Sequence, residues 1–427
     1  MTGLAQWLER IERLHPKSIE LGLDRVREVA RRLSLSLECV VITVGGTNGK
    51  GSTCAMLDSI LRAAGYRVGL YTSPHLVAFN ERARLDGVAV DDAALVAQFE
   101  AVDAARGEVG LTYFEFTTLA ILRLFAQRKP DVAILEVGLG GRLDAVNMID
   151  PDCAVVTSVD IDHTDYLGDT RESIGWEKAH IFRTGRPAIC ADPHPPHSLL
   201  AYAGEIDAKL WVMARDFGYT GDRQQWSYRG PHTRRNSLAY PALRGANQLL
   251  NAAAALAALE ALRDRLPVSQ QAVRRGLAAV TLAGRFQVLP GRPAVVLDVA
   301  HNPHAAAHLA QNLENMGFFP ATWAVFGVMA DKDVAGIVRA LAGRVDHWLL
   351  VDLPGARAAS SADLVALLAR EGISAGENRT VRCFDSPREA YDAARGLVDD
   401  GDRILVFGSF LTVADVLDHL GRHGRPN

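Results

Sequence analysis

The sequence is short of cysteine and has no long apolar run. Five of its 427 residues are cysteines, scattered at positions 39, 54, 153, 190 and 383. No two have the spacing of metal ligands, and the odd count argues against a disulfide framework, so we predict reduced core residues. No apolar run approaches membrane-spanning length, and the N-terminus lacks the pattern of a signal peptide. We therefore expect a cytoplasmic protein that does not bind membranes.

The sequence also lacks a strong excess of either charge. Its formal net charge is −4, which gives no indication of nucleic acid as a partner. A composition that is 48% hydrophobic and 22% charged is typical of a globular protein, and the length suffices for two or three domains. Lysine is scarce, with six among 46 basic residues, so each lysine is less expected as ordinary surface filling.

The most informative stretch is VVITVGGTNGKGST at residues 40–53. An apolar run at 40–44 predicts a buried parallel strand, and a helical pattern follows the glycine-rich turn. A strand, a glycine loop and a helix together can hold a polyphosphate, because backbone N–H groups and the helix dipole point at one anion. Lys50 would reach the outer phosphates, and the Ser52 hydroxyl would meet a magnesium ion. An ordinary strand–turn–helix is the alternative.

The rest of the chain alternates between strand and helix patterns. This alternation predicts an α/β protein with an N-terminal doubly wound, mostly parallel sheet and a smaller C-terminal Rossmann-like α/β domain. We place the boundary at residue 288, giving domains at 1–288 and 289–427. We also expect Ser18 to cap a helix that carries Ile19 and Leu23, and residues 214–244 to add antiparallel strands at the edge of the large sheet.

Polar residues follow several of the predicted strands. Ser73, Glu136 and His163 each come at such a strand end, where open α/β sheets bind ligands. A hydroxyl, a carboxylate and an imidazole beside a phosphate loop could hold a divalent metal, although a histidine ligand is less usual for magnesium. Taken singly, each residue could instead be a turn residue, an edge carboxylate or a loop histidine.

Lys178 lies on a predicted helix after the His163 loop. It could be an exposed helical lysine paired with a nearby acid. Alternatively it lies close to the phosphates or the metal, where desolvation would favour the neutral amine and allow reaction with carbon dioxide. The resulting carbamate would be an anion suited to a metal-rich site.

A second polar cluster occurs in the predicted C-terminal domain. Asp298, His301 and His304 surround the end of a strand and the start of a helix. Helix capping explains the neighbouring Asn302 and Pro303 but not the acid and the two histidines. With Arg285, just before the domain boundary, they form a candidate second half-site.

These motifs together resemble the folylpolyglutamate synthase family, within the Mur ligase superfamily. The resemblance covers nearly the whole chain, in order. It rests on GTNGKGS at 46–52, YTSPH at 71–75, GLGGRLDA at 138–145, DH at 162–163, EKA at 177–179 and DVAHNPH at 298–304.

The resemblance implies a role for individual residues. ATP-binding residues would be Thr47, Asn48, Gly49, Lys50, Gly51, Ser52, Asn247, Arg285 and Asp298. Magnesium ligands would be Ser73, Glu136 and His163, and Lys178 would be carbamylated. The pterin substrate would be bound by Ile19, Leu21, Thr112, Phe114, Glu115, Leu143, Asp144 and Ala145. Catalytic residues would be Lys50, Lys178, His301 and His304, with the two histidines placing glutamate or phosphate.

The resemblance also implies an activity, an ADP-forming ligase that joins L-glutamate to dihydropteroate and to the γ-carboxylate of folates through an acyl phosphate. Mg²⁺ would be the cofactor, ATP the co-substrate and small molecules the partners, and we expect a monomer. One alternative is a Mur ligase that acts on a peptidoglycan precursor. Another is a nucleotide-binding switch without ligase activity, although the Asn-Lys-x-Asp segment that specifies guanine is absent.

Overall fold

The computed structural model describes residues 3–17, 19–222, 224–245 and 247–423. The chain forms two compact units. Unit 1 comprises Met1–Ala242 and Leu249–Val280, and unit 2 comprises Leu243–Gln248 and Thr281–Asn427. Within the described residues, no helix is both long and apolar enough to cross a membrane.

Unit 1 is built around an eight-stranded sheet, whose strands lie between residues 40 and 212. Its strands are β1 Val40–Gly45, β2 Val68–Tyr71, β3 Ala83–Leu85, β4 Val88–Ala89, β5 Val132–Glu136, β6 Cys153–Val156, β7 Pro187–Cys190 and β8 Lys209–Val212. They lie in the order β4-β3-β2-β5-β1-β6-β7-β8. All neighbours pair in parallel except β2 with β3 and β3 with β4, so the mostly parallel sheet predicted from the sequence is confirmed.

Helices cover both faces of this sheet. The helices of unit 1 are α1 Leu4–Glu12, α2 Asp24–Arg32, α3 Lys50–Ala63, α4 Asp92–Arg106, α5 Tyr113–Arg128, α6 Thr164–Leu167, α7 Arg171–Ala179, α8 His197–Glu205, α9 Gln248–Ala261 and α10 Gln270–Ala279. Short 3₁₀ helices span Phe79–Arg82 and Ala145–Met148. Because parallel strands are buried on both faces, every residue of β1 is buried, and all but Thr43 and Gly45 are valine or isoleucine.

Two predictions about unit 1 are wrong in detail. Helix α2 begins at Asp24, so residues 19–22 are not helical, and Ser18 lies outside the described residues. Residues 214–244 do not extend the large sheet. They form a separate antiparallel sheet of β9 Gly218–Gly221, β10 Gln225–Arg229 and β11 Arg234–Ala239. Trp226 and Tyr228 are buried in β10, which explains why a polar segment carries large aromatic residues.

Buried hydrogen bonds hold this small sheet against α9. The Glu260 carboxylate accepts from the Tyr228 hydroxyl at 2.8 Å and from the backbone N–H groups of His232 and Thr233 at 2.7 and 2.9 Å. A carboxylate that is 3% exposed needs such donors, because leaving it without them would carry a large desolvation penalty. Glu260 therefore fixes the turn after β10 to the end of α9.

Unit 2 contains a six-stranded sheet in the order β12-β13-β17-β14-β15-β16. Its strands are β12 Gln287–Leu289, β13 Ala294–Leu297, β14 Thr322–Phe326, β15 His347–Val351, β16 Val381–Phe384 and β17 Arg403–Phe407. Its helices are α11 Pro303–Asn315, α12 Val334–Leu341, α13 Ser361–Arg370, α14 Pro387–Leu397 and α15 Phe410–His423. The sheet is parallel apart from β12, a short antiparallel edge strand that the sequence pattern did not predict.

Candidate active site

The strand order of unit 1 determines which loops are neighbours. Strands β2, β5, β1 and β6 are adjacent and parallel, so their carboxyl ends meet at one edge of the sheet. Glu136 is the last residue of β5, and the loops after β2, β1 and β6 carry Ser73, the glycine-rich turn and His163. Ligands bind at this edge in open α/β sheets.

The glycine-rich loop has the backbone expected of a phosphate-binding loop. Gly46 and Gly49 have φ angles of 139° and 89°, which are unfavourable for residues with a Cβ. Gly49 is the N-cap of α3, so the positive end of the helix dipole lies at the loop. The Lys50 ammonium donates to the carbonyl oxygens of Gly46 and Thr47 at 2.9 and 3.1 Å, which holds its charge over the loop.

A supporting loop, residues 157–160 after β6, holds the phosphate loop from one side. The backbone N–H of Thr47 donates to the Ser158 carbonyl at 2.8 Å, and that of Asn48 donates to the Ser158 hydroxyl at 3.0 Å. The Thr157 hydroxyl donates to the Asn48 carbonyl at 2.7 Å. The hydroxyl of Thr47 donates to the Asp160 carbonyl and accepts from the Asp160 N–H, both at 3.0 Å. These contacts fix the loop backbone independently of any ligand.

Asn251 on α9 is a second neighbour of the phosphate loop, which the sequence analysis missed. It is buried, and its Oδ1 lies 2.5 Å from the position that a Cβ on Gly49 would occupy. The close approach explains why residue 49 has no side chain. In the sequence, the available signal was one asparagine directly before the alanines at 252–255. Periodicity alone did not link this asparagine to a loop so distant in sequence.

Two of the three predicted metal ligands lie side by side. Glu136 ends β5 and is 4% exposed, and its Oε2 accepts from the backbone N–H of Ser73 at 3.1 Å. His163 is the N-cap of α6, after β6, with a φ of 53°. Its Nε2 lies 4.0 Å from a carboxylate oxygen of Asp162.

The Ser73 hydroxyl and the Glu136 carboxylate are oxygen ligands of the kind that Mg²⁺ prefers, whereas the His163 imidazole is a less usual ligand for it. No group of three or more His, Cys, Asp or Glu side chains within the described ranges is placed to hold a metal ion. The predicted set has only two such side chains and a serine hydroxyl. Mg²⁺ usually keeps several waters and takes phosphate oxygens besides one or two carboxylates, so a sparse protein set beside a phosphate loop suits it.

Lys178 is buried near the end of α7, which excludes the exposed helical lysine considered from the sequence. Burial, reinforced by the nearby charge of Lys50, lowers the pKa of its amine to about 7, although Asp162 and Asp144 oppose the shift. The backbone of α7 approaches the glycine-rich turn after β5 closely, because a Cβ on Gly141 would lie 3.1 Å from the Lys178 Cα. An amine with this pKa is substantially neutral near pH 7 and therefore nucleophilic.

Asp144 orders the turn that carries three of the predicted pterin residues. Its carboxylate accepts from the backbone N–H groups of Leu139 and Val146 at 2.8 and 2.9 Å, and it caps the 3₁₀ helix that starts at Ala145. Burial raises its pKa to about 6, although these hydrogen bonds and Lys50 oppose the shift. A Cβ on Gly138 would lie 2.5 Å from the Phe114 ring, so that ring packs directly on the turn.

The remaining predicted pterin residues have local structural partners. Thr112 and Glu115 form a capping box at the start of α5, and Arg25 contacts Glu115 at 3.0 Å. Arg25 also contacts Glu20 at 3.3 Å, which ties the segment containing Ile19 and Leu21 to this helix. In the same segment, the Gly22 N–H donates to the Leu143 carbonyl at 3.4 Å. The structure thus links the three stretches of chain that carry the predicted pterin set.

The predicted half-site in unit 2 forms a cluster at the carboxyl end of β13. The Asp298 carboxylate accepts from the backbone N–H groups of Phe286 and Ala300, both at 2.8 Å. Burial raises the pKa of Asp298, and the charge of Arg285 opposes that shift. The Arg285 guanidinium lies over the Phe410 ring at 4.9 Å, and the His301 ring lies 5.9 Å from the same ring. Sequence analysis did not identify Phe410.

Two of the other predicted residues of unit 2, Asn302 and His304, lie next to this cluster in sequence, whereas Asn247 is distant. Asn302 caps α11 as expected, with Pro303 at its first position. The Nε2 atoms of His304 and His308 are 3.2 Å apart on that helix, so His304 is paired within its own helix. Asn247 is partly buried in the turn just before α9.

Family models match both parts of the chain. The Mur ligase middle domain matches residues 44–259, and the Mur ligase glutamate ligase domain matches residues 284–410. Both matches agree with the resemblance inferred from the motifs.

Individual proteins match over nearly the full length. The dihydrofolate synthase/folylpolyglutamate synthase of Escherichia coli is 45% identical over 97% of this chain and 95% of its own. The structure of E. coli FolC in complex with DHPP and ADP superimposes with a TM-score of 0.92 and 44% identity, covering 99% of this chain and 98% of that one. A bifunctional folylpolyglutamate synthase/dihydrofolate synthase with Mn, AMPPNP and L-glutamate bound has a TM-score of 0.91, the same identity and the same coverage. The chain therefore belongs to the dihydrofolate synthase/folylpolyglutamate synthase family of Mur ligases.

Proposed function

We propose that this protein is an ATP-dependent, ADP-forming ligase that joins L-glutamate to dihydropteroate and to the γ-carboxylate of reduced folates. The observation that carries the proposal is the phosphate loop, with its charged lysine and helix N-terminus, at the sheet edge that also holds Glu136. The full-length similarity to dihydrofolate synthase/folylpolyglutamate synthases supports the choice of substrates.

The reaction proceeds in two steps. A carboxylate oxygen of the pterin or folate substrate attacks the γ-phosphorus of ATP, ADP leaves, and an acyl phosphate forms. The amino group of glutamate then attacks the acyl carbon, loses a proton and expels inorganic phosphate, leaving an amide. Phosphorylation is needed because a carboxylate by itself has no adequate leaving group.

The residues of unit 1 offset the repulsion between two anions. The backbone N–H groups of residues 47–52 and the Lys50 ammonium hold the phosphates, and the N-terminus of α3 adds its dipole. Ser73, Glu136 and His163 would hold Mg²⁺, which neutralises phosphate charge when bound. A related structure with 44% sequence identity to this chain contains manganese. That this chain binds magnesium is our proposal.

We assign to Lys178 the role of a carbamylated lysine. A pKa of about 7 leaves much of the amine neutral at neutral pH, which is the form that attacks carbon dioxide. The product exchanges a buried cation near Lys50 for an anion, so it replaces a repulsion by an attraction. Incubation with ¹³C-labelled bicarbonate is expected to give a carbamate resonance that Lys178→Met lacks, and identical spectra would contradict the assignment.

The substrate residues form two groups. We propose that Phe114 and the turn ordered by Asp144 bind the pterin, together with Ile19, Leu21, Thr112, Glu115, Leu143 and Ala145. In unit 2, we assign Asn247, Arg285 and Asp298 to ATP, and His301 and His304 to the placement of glutamate or phosphate. The cytoplasmic location stays a prediction.

A substrate-omission assay tests the function. Purified protein with ATP, Mg²⁺, L-glutamate and either dihydropteroate or a reduced folate is expected to release phosphate only when all components are present. Chelation of the metal is expected to stop the release, and added Mg²⁺ to restore it. Release that ignores both pterin and folate would refute the assignment, and use of a UDP-linked substrate instead would favour a peptidoglycan Mur ligase.

A further inference from the structure

An ion pair between Arg171 and Asp192 holds the backbone of the supporting loop at Val159. The Arg171 Nε donates to the carbonyl oxygen of Val159 at 2.8 Å, and the Val159 N–H donates to the Asp192 Oδ2 at 3.0 Å. Both backbone polar groups of Val159 are therefore held by one pair of side chains. The Arg171 Nη2 completes the pair by donating to the same Asp192 oxygen at 2.8 Å.

Further hydrogen bonds of Asp192 and Arg171 restrict the movement of this ion pair. Asp192 follows β7 and is 6% exposed, and its second oxygen accepts from the backbone N–H of His194 at 2.8 Å. The Arg171 Nη2 also donates to the His194 carbonyl at 2.9 Å. A buried carboxylate with three donors and a guanidinium with three acceptors leave little room for either side chain to move.

Val159 connects this pair to the phosphate loop. It lies inside the supporting loop, whose residues on either side make the hydrogen bonds to Thr47 and Asn48 described above. A displacement of Val159 would therefore move the partners of two phosphate-loop residues. Arg171 is also the first residue of α7, the helix that carries Lys178.

We propose that Arg171 and Asp192 are positioning residues that hold the phosphate loop in its ATP-binding geometry through Val159. The inference rests on the proposed function, because it assigns ATP to that loop. Neither residue needs to touch ATP. The expected consequence is a selective defect in nucleotide affinity, because none of the residues predicted to bind pterin or glutamate lies in the supporting loop.

A second ion pair provides a matched control. Arg388 contacts Asp415 at 2.6 Å in unit 2, and Asp415 also accepts from a backbone N–H, that of Arg388, at 2.9 Å. The arginine side chains are similarly exposed, at 41% for Arg171 and 51% for Arg388. An effect that came only from losing an ion pair would appear in both pairs.

Asp192→Asn is the sharpest single substitution. The amide is isosteric with the carboxylate but has one oxygen, so its NH₂ must face either the His194 N–H or the two donors at Val159 and Arg171. We expect the KM for ATP to rise about tenfold, while the KM values for dihydropteroate and glutamate stay within twofold. Asp415→Asn is expected to leave all three KM values within twofold.

Substitution of Arg171 gives a second test of the proposal. The side chain of this residue is 41% exposed, so its replacement does not change a buried side chain. Arg171→Ala is expected to raise the KM for ATP by a similar factor, and millimolar guanidinium to lower it again by supplying the missing donor. Arg171→Lys keeps the charge but loses the planar fork, so an intermediate KM is expected. Arg388→Ala with the same addition is the control and should not respond.

Direct titration with ADP separates the two hypotheses. If the wild type binds ADP but forms no amide, the proposed function fails, and the positioning role is judged by the ADP affinity of the variants. If the wild type is active and the variants of Arg171 and Asp192 bind ADP as it does, the positioning role is overturned. Equal losses in both ion pairs would overturn it as well.

Discussion

At the scale of single residues, the candidate site contains two lysines, Lys50 and Lys178, that are close enough for one to affect the pKa of the other. The proximity of Lys50 is one cause of the low pKa of Lys178, after burial itself. Lys50 has carbonyl acceptors from its own loop, whereas Lys178 is enclosed by the protein. The two lysines therefore differ in setting: Lys50 is hydrogen-bonded within its loop, and Lys178 is a buried amine whose pKa is lowered.

Replacing the fixed cation tests the phosphate loop. Lys50→Ala is expected to reduce turnover at least about 100-fold, because a positioned cation at developing phosphate charge is removed. The circular dichroism spectrum should not change, since the Lys50 ammonium donates to carbonyl oxygens of its own loop. Lys129→Ala is the control, because that lysine is paired with the exposed Glu38 at the surface. Retained turnover in the Lys50 variant would contradict the assignment.

Replacing the buried amine tests its pKa through stability. Below about pH 7 Lys178 is charged in both folded and unfolded chains, and burying the charge carries its full penalty. From about pH 7 to its ordinary pKa near 10.5 the unfolded chain binds the extra proton, so stability rises with pH. In CO₂-free buffer, Lys178→Met is expected to stabilise the protein at pH 6 by roughly 3–5 kcal/mol.

The added stability of the Lys178→Met variant should decrease steadily as the pH approaches 10. Urea unfolding at several pH values measures it, with Lys129→Met as the exposed control that shifts stability by less than about 0.5 kcal/mol. A gain that does not depend on pH would show that Lys178 keeps an ordinary pKa.

At the scale of elements, helix α3 connects the phosphate loop to the core. It begins directly at the loop and is buried along most of its length, with Gly276 of α10 packed against Ile60 so closely that a Cβ there would lie 2.5 Å from the Ile60 Cα. The Ser59 hydroxyl donates to the Gly276 carbonyl at 2.7 Å. The helix therefore presents its N-terminus to the loop from a fixed position.

Substitution of two glycines at opposite ends of α3 can distinguish an effect on ATP binding from the effect of backbone strain. Gly49 and Gly65 both have positive φ angles, of 89° and 96°, but only Gly49 lies against another side chain, that of Asn251. The left-handed backbone is expected to cost an alanine about 1–2 kcal/mol in stability at either position, and at position 49 the contact with Asn251 adds to this cost. Only Gly49→Ala should raise the KM for ATP, by tenfold or more, in a steady-state assay. A similar rise in Gly65→Ala would mean that general destabilisation is the cause.

At the scale of the whole molecule, each unit has its own sheet and its own hydrophobic core. The candidate phosphate loop and metal ligands belong to unit 1, and the Asp298 cluster belongs to unit 2. The domain division at residue 288 stays a proposal, with the glutamate ligase role assigned to the C-terminal part.

The oligomeric state is testable at this scale. The exposed large apolar side chains include Val88 on β4, Phe318 in the loop after α11 and Leu397 at the end of α14. Apolar side chains that are exposed singly do not by themselves indicate an interface, and we predict a monomer. Size-exclusion chromatography with light scattering should give a mass near 46.2 kDa. A mass of twice this value that persists on dilution would contradict the prediction.

The sequence by itself determined the elements and the loop chemistry, because these depend on short-range patterns. Apolar runs at 40–44 and 131–137 predicted β1 and β5. The strands predicted at 294–299, 321–327, 347–351, 381–384 and 403–407 match β13 to β17 to within two residues at each end. Asp91 and Asp92 predicted the start of α4, and Asn302 with Pro303 predicted the start of α11. Glycines next to a lysine predicted the phosphate loop, because the positive φ angles there suit glycine.

Only the tertiary structure decided which distant residues meet. Asn251 lies against Gly49, and Arg171 with Asp192 grips Val159, yet no local period or spacing connects these positions. The burial of Lys178, and with it the low pKa, likewise depends on elements brought together by the sheet order. Solvation and contact are properties of three-dimensional neighbours, whereas helix and strand patterns are properties of neighbours along the chain.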